Sequence, residues 1–396
     1  MRLPMSEKSQ LFPFNRLIYW FKYPLKLWIF ECIDQWILRK IPAGQGNKIL
    51  ITRVDLIGDY LVCRPFFKAL KEAPAFRHRQ IIFAGNQICK NLAENLDADV
   101  FEECIWLDRS KFINSIFYRF RILKSIRESG ISTVINLSHT PQFFLESIVR
   151  VSGAKEKIRS SGTGKYMQDW EITLSAGWYS RTIETGPPGI FEFYRNHRFF
   201  ACIAPETELP VSMQLTSFPG KDLFSYERTY FVLAPGASSA HRKWPLNRFA
   251  ELGRWFYETT RVTALIAGGP EDREDGDRLI ALMGFGENMA GKLSLVESMA
   301  MIAGAKILIG NESAPVHMAA TTGTPTLCLS QGNHFSRWNP YPESLAPQIK
   351  TIYPEKFYPL SANFDKLKKE LHDYSDIPIG EVSTNWAIRA LKEMGF

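Results

Sequence analysis

The sequence predicts an α/β protein of two Rossmann-like units that face a central cleft, with a basic amphipathic helical arm in front of them. Three observations point there. From Lys48 onward short apolar runs alternate with helix-like segments; the alternation lapses over residues 160–228 and then restarts; and several apolar runs end in small-residue turns. At 396 residues the chain is also too long for one ordinary core, so two units of similar size are the natural division.

In the first unit, residues 49–52, 80–84, 103–107 and 133–137 read as strands. Residues 61–72 and 87–96 read as helices, and a basic helix containing Arg119, Arg121 and Lys124 lies between the last two strands. Such alternation predicts a parallel sheet covered on both faces. The stretch 160–228 holds Gly186, Pro187, Pro188 and Gly189 and is expected to contain the connection between units. In the second unit, 230–234, 263–266, 306–309 and 326–329 read as strands, with helices over 246–259, 271–283, 295–303 and 315–322. A closing helix over 382–394 is expected to cross back to the first unit. The resulting division is 1–45 for the arm, 46–220 and 228–375 for the two domains, and 376–396 for the crossing helix.

Hydrophobic residues at 45% and charged residues at 22% are globular values, which excludes disordered and collagen-like classes. The six cysteines (32, 63, 89, 104, 202 and 328) show no CxxC spacing and mostly sit in apolar runs, so buried free thiols in a reducing cytoplasm are expected. The net charge of +7 is local: residues 1–48 carry eight Lys or Arg against three acids. Nine aromatics lie between Phe12 and Trp36, and Pro24 is expected to divide the arm into two helices. In the second, Leu25, Trp28, Ile29, Cys32, Ile33, Trp36 and Ile37 recur at helical spacing, with Lys26, Glu31, Asp34, Gln35 and Lys40 on the other side. A basic, tryptophan-rich helix of this kind either lies in the headgroup layer of an anionic membrane, through residues 12–40, or packs on its own first domain. No run of eighteen uncharged apolar residues would span a bilayer, and no signal-peptide cleavage pattern is seen.

Candidate chemistry sits where predicted strands end. The first runs into Ile51-Thr-Arg-Val-Asp-Leu-Ile-Gly-Asp59, where Gly58 permits close backbone approach and Asp59 stands at the carboxyl edge. A carboxylate there either deprotonates a sugar hydroxyl or caps the following helix; Asp55 is a weaker version of the same idea, and Arg53 lies beside both. In Pro235-Gly-Ala-Ser-Ser-Ala-His-Arg-Lys243 a small-residue loop offers Ser238, Ser239, Arg242 and Lys243 to a diphosphate, unless the basic pair is merely solvated. After the next strand, Glu271 or Asp272 can accept hydrogen bonds from ribose hydroxyls or simply complement a helix dipole. In Gly310-Asn-Glu-Ser-Ala-Pro-Val-His317 the strand feeds a helix mouth, an anion site by geometry and dipole. There Asn311 and Glu312 can hold sugar hydroxyls, Ser313 and the Ala314 backbone can meet phosphate, and His317 is either a phosphate contact or a packed core histidine. His241 and His334 fall on candidate cleft loops, whereas His78, His139, His197 and His372 form no ligand pattern, and no metal site is indicated.

In order and spacing these four segments resemble the family 9 glycosyltransferases, typified by the ADP-heptose:lipopolysaccharide heptosyltransferases, from Lys48 to Phe396. Arg53 to Asp59 is similar to the family's first-strand motif ending in Gly-Asp, Pro235 to Pro245 to its basic loop before a Trp-Pro helix start, and Gly310 to His317 with Thr324-Pro325 to its donor-phosphate motif. The resemblance implies a GT-B fold, a nucleotide-diphosphate sugar held mainly by the second domain, and an acceptor held by the first. It implies inverting transfer with Asp59 as base, no metal and no cofactor, the nucleotide sugar being an ADP-linked substrate. Arg242 or Lys243 and the helix mouth would stabilise the leaving diphosphate. The expected function is transfer of a heptose-like sugar onto a lipopolysaccharide-core or related envelope glycolipid, at the inner face of the cytoplasmic membrane, with no nucleic-acid partner. Family members commonly have Asp-Thr-Gly-Pro or Asp-Ser-Gly-Pro where this chain has Glu312-Ser-Ala-Pro315, and Gly-Pro-Thr where it has Gln331-Gly-Asn-His334. Both departures fall where a donor sugar is recognised, so a UDP- or GDP-linked donor, or nucleotide-sugar binding without catalysis, is the alternative.

Overall fold

The computed structural model describes residues 13–187, 189–363, 367, 375 and 377–396, residues 13–22 by backbone alone. Residues 1–12 of the predicted arm, Pro188 and His372 lie outside the described residues. Two six-stranded sheets are seen. The first contains β1 (Lys48–Arg53), β2 (Ile81–Asn86), β3 (Glu103–Leu107), β4 (Ile131–Asn136), β5 (Glu156–Ser160) and β6 (Arg181–Ile183) in the order β3-β2-β1-β4-β5-β6. The second contains β7 (Tyr230–Ala234), β8 (Thr263–Ile266), β9 (Glu287–Asn288), β10 (Leu308–Asn311), β11 (Thr326–Leu329) and β12 (Ile349–Ile352) in the order β12-β11-β10-β7-β8-β9. Neighbouring strands pair in parallel throughout. Counted within its own unit, each sheet has the same order and reverses its winding between its first and fourth strands. Loops leaving those strands turn to opposite faces and open a crevice at the carboxyl edge. β1 and β4 border that crevice in one unit, β7 and β10 in the other.

Four strands escaped sequence patterning for local reasons. β6 and β9 have three and two residues, too few to show a period. β5 and β12 are mixed, with Ile158 the one deeply buried apolar residue of β5. β6 and the helices Asp169–Ala176 and Glu192–Ile203 occupy what composition marked as irregular chain. The predicted 61–72 helix is two, Ile57–Cys63 and Pro65–Glu72, because Pro65 has no N–H to continue the first and restarts the second. Gly58 and Asp59 therefore sit inside a helical first turn rather than in a loop.

The closing helix does not cross back. Thr384–Glu393 buries Ala387, Ala390 and Leu391 in the second unit's core with Phe231, Leu233 and Phe256. All six cysteines are free, but Cys32 and Cys202 are exposed rather than buried.

The arm is one helix, Pro13–Lys40, that runs through Pro24 instead of breaking there. Pro24 lies on the exposed side, where water can serve the backbone group that a proline leaves unbonded. Ile37 and Ile41 bury against Leu50, Val134 and Ile148, so the arm packs on the first unit. Its rotation departs from the amphipathic expectation. Asp34, predicted on the polar side, is buried against Arg119 at 3.0 Å, while Leu25, Trp28, Cys32 and Trp36 face outward.

Candidate active site

A cavity of about 1160 Å³ occupies the crevice between the two units. Its first-unit wall includes Asp55, Gly58 and Asp59 from the β1 turn, Arg109, and His139 after β4. Its second-unit wall includes Gly236, Ser238 and Arg242 after β7, Glu271 and Asp272 after β8, and Glu312 to Pro315 with His317 after β10. His334 and Arg337 come from the loop after β11. The predicted residues Arg53, Ser239, Lys243 and Asn311 do not line it.

Asp59 occupies the third position of the Ile57–Cys63 helix, where it caps the helix and also lines the cavity. Its Oδ2 accepts the backbone N–H of Leu56 at 3.2 Å, so it caps the helix, while about a fifth of its side chain faces the cavity. Its Oδ1 accepts from Arg53 Nη2 at 3.2 Å. Burial, together with the neighbouring Asp55 carboxylate, lifts its pKa to about 6 against the opposing pull of Arg53. A carboxylate tuned upward in this way is a better proton acceptor at neutral pH than an ordinary aspartate.

Arg53 is held from behind, which explains why it misses the cavity. Its Nη1 donates to the Leu137 carbonyl at 2.6 Å, and its Nη2 also reaches Glu192 Oε1 at 3.2 Å. Glu192, fully buried at the start of the Glu192–Ile203 helix, accepts from Arg337 Nε of the second unit at 2.9 Å. Burial alone would raise the Glu192 carboxyl, but Arg337 and Arg53 outweigh it and hold the group well below the usual carboxylate range. The chain Arg337–Glu192–Arg53–Asp59 thus runs from one unit into the other directly behind the candidate base. Sequence reasoning missed Glu192, Arg337, Arg109 and His139. An acid inside the apolar run Ile190-Phe-Glu-Phe-Tyr194 was the available signal for the first.

The second-unit wall sorts its polar residues by partner. Arg242 Nη1 donates to Ser238 Oγ at 3.2 Å, and Nη2 lies 3.4 Å from Glu312 Oε1 and donates to the Glu312 carbonyl. Glu312 also accepts from Ser330 Oγ, and burial raises its carboxyl although Arg242 opposes the change. Lys243 turns away from the cavity to Asp275 at 2.9 Å and Asp272 at 3.5 Å, which corrects its placement as a diphosphate contact. Asn311, expected on a sugar, is a fully buried strut: its Nδ2 donates to the Pro235 carbonyl at 2.6 Å and its Oδ1 accepts from Trp244 N at 3.1 Å. It ties β10 to the basic loop. Asp272 accepts from Gly269 N of its own turn at 3.1 Å, whereas Glu271 is exposed, and both line the cavity.

The Ala314–Thr322 helix starts at Ser313, whose hydroxyl donates to the Asn311 carbonyl and leaves the first turn without a side-chain cap. Its mouth opens into the cavity with Pro315 in the first turn. His317 is both packed and cavity-lining: Nδ1 bonds the Tyr341 hydroxyl, the ring stands edge-on to Trp338 at 5.6 Å, and burial lowers its pKa to about 4, so it is neutral. A Cβ on Gly58 would come within 2.5 Å of His317 Cδ2. The helices that follow β1 and β10 therefore touch where glycine is required. Gly58→Ala should cost about 1–3 kcal/mol of stability by overpacking against His317; thermal unfolding of the variant reads the effect.

With that geometry in hand, known families supply the decisive likeness. Residues 203–358 match the model of glycosyltransferase family 9 (heptosyltransferase). The chain is glycosyltransferase family 9-like. It is 26% identical over 154 residues to the lipopolysaccharide core heptosyltransferase OpsX of Haemophilus influenzae, covering 38% of this chain and 43% of that one. The match therefore spans less than half of that relative's length. Over 310 residues it is 23% identical to lipopolysaccharide heptosyltransferase 3 of Escherichia coli, covering 73% and 84% of the two chains. The structure of E. coli ADP-heptose lps heptosyltransferase II superposes with a TM-score of 0.62 at 17% identity, over 88% of this chain and 98% of that one. At that identity the likeness shows the GT-B fold of this family 9-like chain: two Rossmann-like units across a cleft.

Proposed function

We propose that the chain is an inverting, metal-independent heptosyltransferase that moves heptose from ADP-heptose onto a lipopolysaccharide-core type acceptor. The observation that carries this is the opposition, within one cavity, of the Asp59 carboxylate to the Ser313–Pro315 helix mouth and Arg242. Asp59 takes the proton of the acceptor hydroxyl, the oxygen attacks the anomeric carbon, and the bond from that carbon to the diphosphate breaks. Arg242 and the helix dipole neutralise the charge gained by the departing ADP, an electrostatic contribution available without reorganisation. Glu271 accepts from ribose hydroxyls, Ser238 and the Ala314 backbone meet the diphosphate, and the β1 turn with Asp55 faces the acceptor. The acceptor being lipid-linked, the chain works at the inner face of the cytoplasmic membrane, held there by its arm.

Donor choice is tested by thermal shift of the purified protein with ADP, UDP and GDP and the matching sugars. ADP-heptose should raise the midpoint most, by the mass-action amount expected of a ligand that binds only the folded state. A larger shift with a uridine or guanosine donor would replace the heptosyl assignment. ADP-heptose binding with no product on any envelope acceptor would make the chain a binding protein.

A further inference from the structure

We infer that the outward face of the Pro13–Lys40 helix, together with the start of the neighbouring Ile116–Glu128 helix, is a docking surface for an anionic lipid bilayer. This extends the membrane placement proposed above, but its observations are independent of any transfer activity. The arm's inward side combines buried apolar residues, Phe30 and Ile37, with ion pairs to the first unit. Asp34 is buried with Arg119, and the partly exposed Glu31 accepts from Arg150 Nη2 at 2.8 Å, so both acids of the described arm are paired with arginines of the first unit. The exposed side carries large apolar side chains as well. Leu25, Trp28 and Trp36 are 57%, 65% and 50% exposed, and Ile116 and Phe117 on the adjoining helix are 45% and 87% exposed.

These side chains form one band. Trp36 meets Phe120 at 5.4 Å between ring centroids, and Phe117 lies one turn before Phe120 on the same helix. Lys26 Nζ donates to Asn114 Oδ1 at 3.1 Å, two residues before that helix begins. Single exposed apolar residues are ordinary, but a contiguous indole and phenyl band is not.

Charge selects the occupant. Arg39, Lys40 and Arg121 are exposed and have no carboxylate partner among the described residues, whereas Lys124 is within 3.7 Å of Glu128. An apolar band of tryptophan and phenylalanine edged by unpaired cations suits the boundary between acyl chains and anionic headgroups, where indole rings settle and each basic side chain adds attraction. Among the described residues no helix is long and apolar enough to cross a membrane, so the contact is made lying flat. The band is also close to the chemistry. Arg109, which lines the cavity, opens the Arg109–Asn114 helix, and that helix leads through Ser115 straight into Ile116. The two positions are seven residues apart in the chain. A lipid-linked acceptor can thus stay anchored while its sugar end enters the cavity.

The test is co-sedimentation of the full chain with acceptor-free vesicles of phosphatidylcholine alone or with phosphatidylglycerol. The chain should bind the anionic vesicles and release them in high salt. Trp28→Ser with Phe117→Ser should weaken that partition by about tenfold or more, while Val211→Ser, at an equally exposed position in the interunit connection, should leave it unchanged. Circular dichroism and the ADP-induced thermal shift should be the same in all three proteins. Undiminished vesicle binding by the double variant would overturn the inference. So would a wild-type dimer, seen by light scattering, that the double variant converts to monomer without loss of vesicle binding, because the band would then be a contact between copies. Neither result depends on transfer, so the heptosyltransferase proposal can fail with this one standing, and the reverse.

Discussion

Asp59→Asn should lower kcat for sugar transfer by about 10³-fold while ADP-heptose binding stays close to that of the wild type. The amide keeps an oxygen for the Leu56 N–H, so the helix cap and the local fold survive; what disappears is the proton acceptor. The donor is expected to be gripped from the other wall, by Arg242, Ser238 and the Ala314–Thr322 helix mouth, none of which touches Asp59. The pH dependence supplies a second readout. Because the Asp59 pKa is lifted to about 6 by burial and by Asp55, with Arg53 opposing, the wild-type kcat/KM should be level above that pH. Below it the rate should fall about tenfold per unit as the base protonates. Steady-state kinetics from pH 5 to 8, with isothermal titration of donor, check both. Transfer at an undiminished rate in the variant would move the base elsewhere, with Asp55 the next carboxylate along the same turn.

Glu192→Gln should be the most destabilising single change near the site. It removes the one carboxylate shared by Arg53 and Arg337, and leaves Arg53, whose side chain is 1% exposed, with less compensation. Breaking a buried ion pair by removing one partner typically costs about 3–5 kcal/mol, which urea unfolding would report. The same substitution should shift catalysis in a direction that a merely structural loss would not produce. Glu192 and Asp55 both repel the charge on Asp59, while Arg53 and Arg337 attract it. Without the Glu192 charge, and with Arg53 given over more fully to its aspartates, the ionised form of Asp59 is favoured, and the acidic limb of kcat/KM should move to lower pH. His139, after β4, is buried with both ring nitrogens unbonded and is pushed down to about 3, so it stays neutral and does not contribute to that limb. A limb that stays near 6 in a variant of unchanged stability would mean that the Arg337–Glu192–Arg53 chain does not transmit charge to the base.

Much of the frame was legible in the residues themselves. β3, β7, β8 and β11 begin and end where their apolar runs do, and the turns after β1, β7 and β10 were recognisable from Gly58, Gly236 and the Gly310–Pro315 sequence. These are local properties: a strand's periodicity, a proline's missing N–H and a glycine's tolerance of close approach act within a few residues. The same locality located the candidate base and the helix mouth, because strand ends at the carboxyl edge of a parallel sheet are where such sites form.

Partners brought together from distant parts of the chain decided the rest. Lys243 and Asn311 carry chemistry that suits a phosphate or a sugar, yet Asp275 claims one and the Pro235 and Trp244 backbones claim the other. Glu192, in a stretch that composition marked as irregular, is a buried charge over which Arg337, 145 positions further on, closes. The arm's pattern announced an amphipathic helix, but Arg119 holds Asp34 inside while Trp28 and Trp36 face out. By itself the sequence determined which elements form and where their mouths open, since propensity and patterning are short-range. Only the tertiary structure decided which charged side chains remain available to a ligand, because a charge is spent on whichever opposite charge the fold carries within a few ångströms of it.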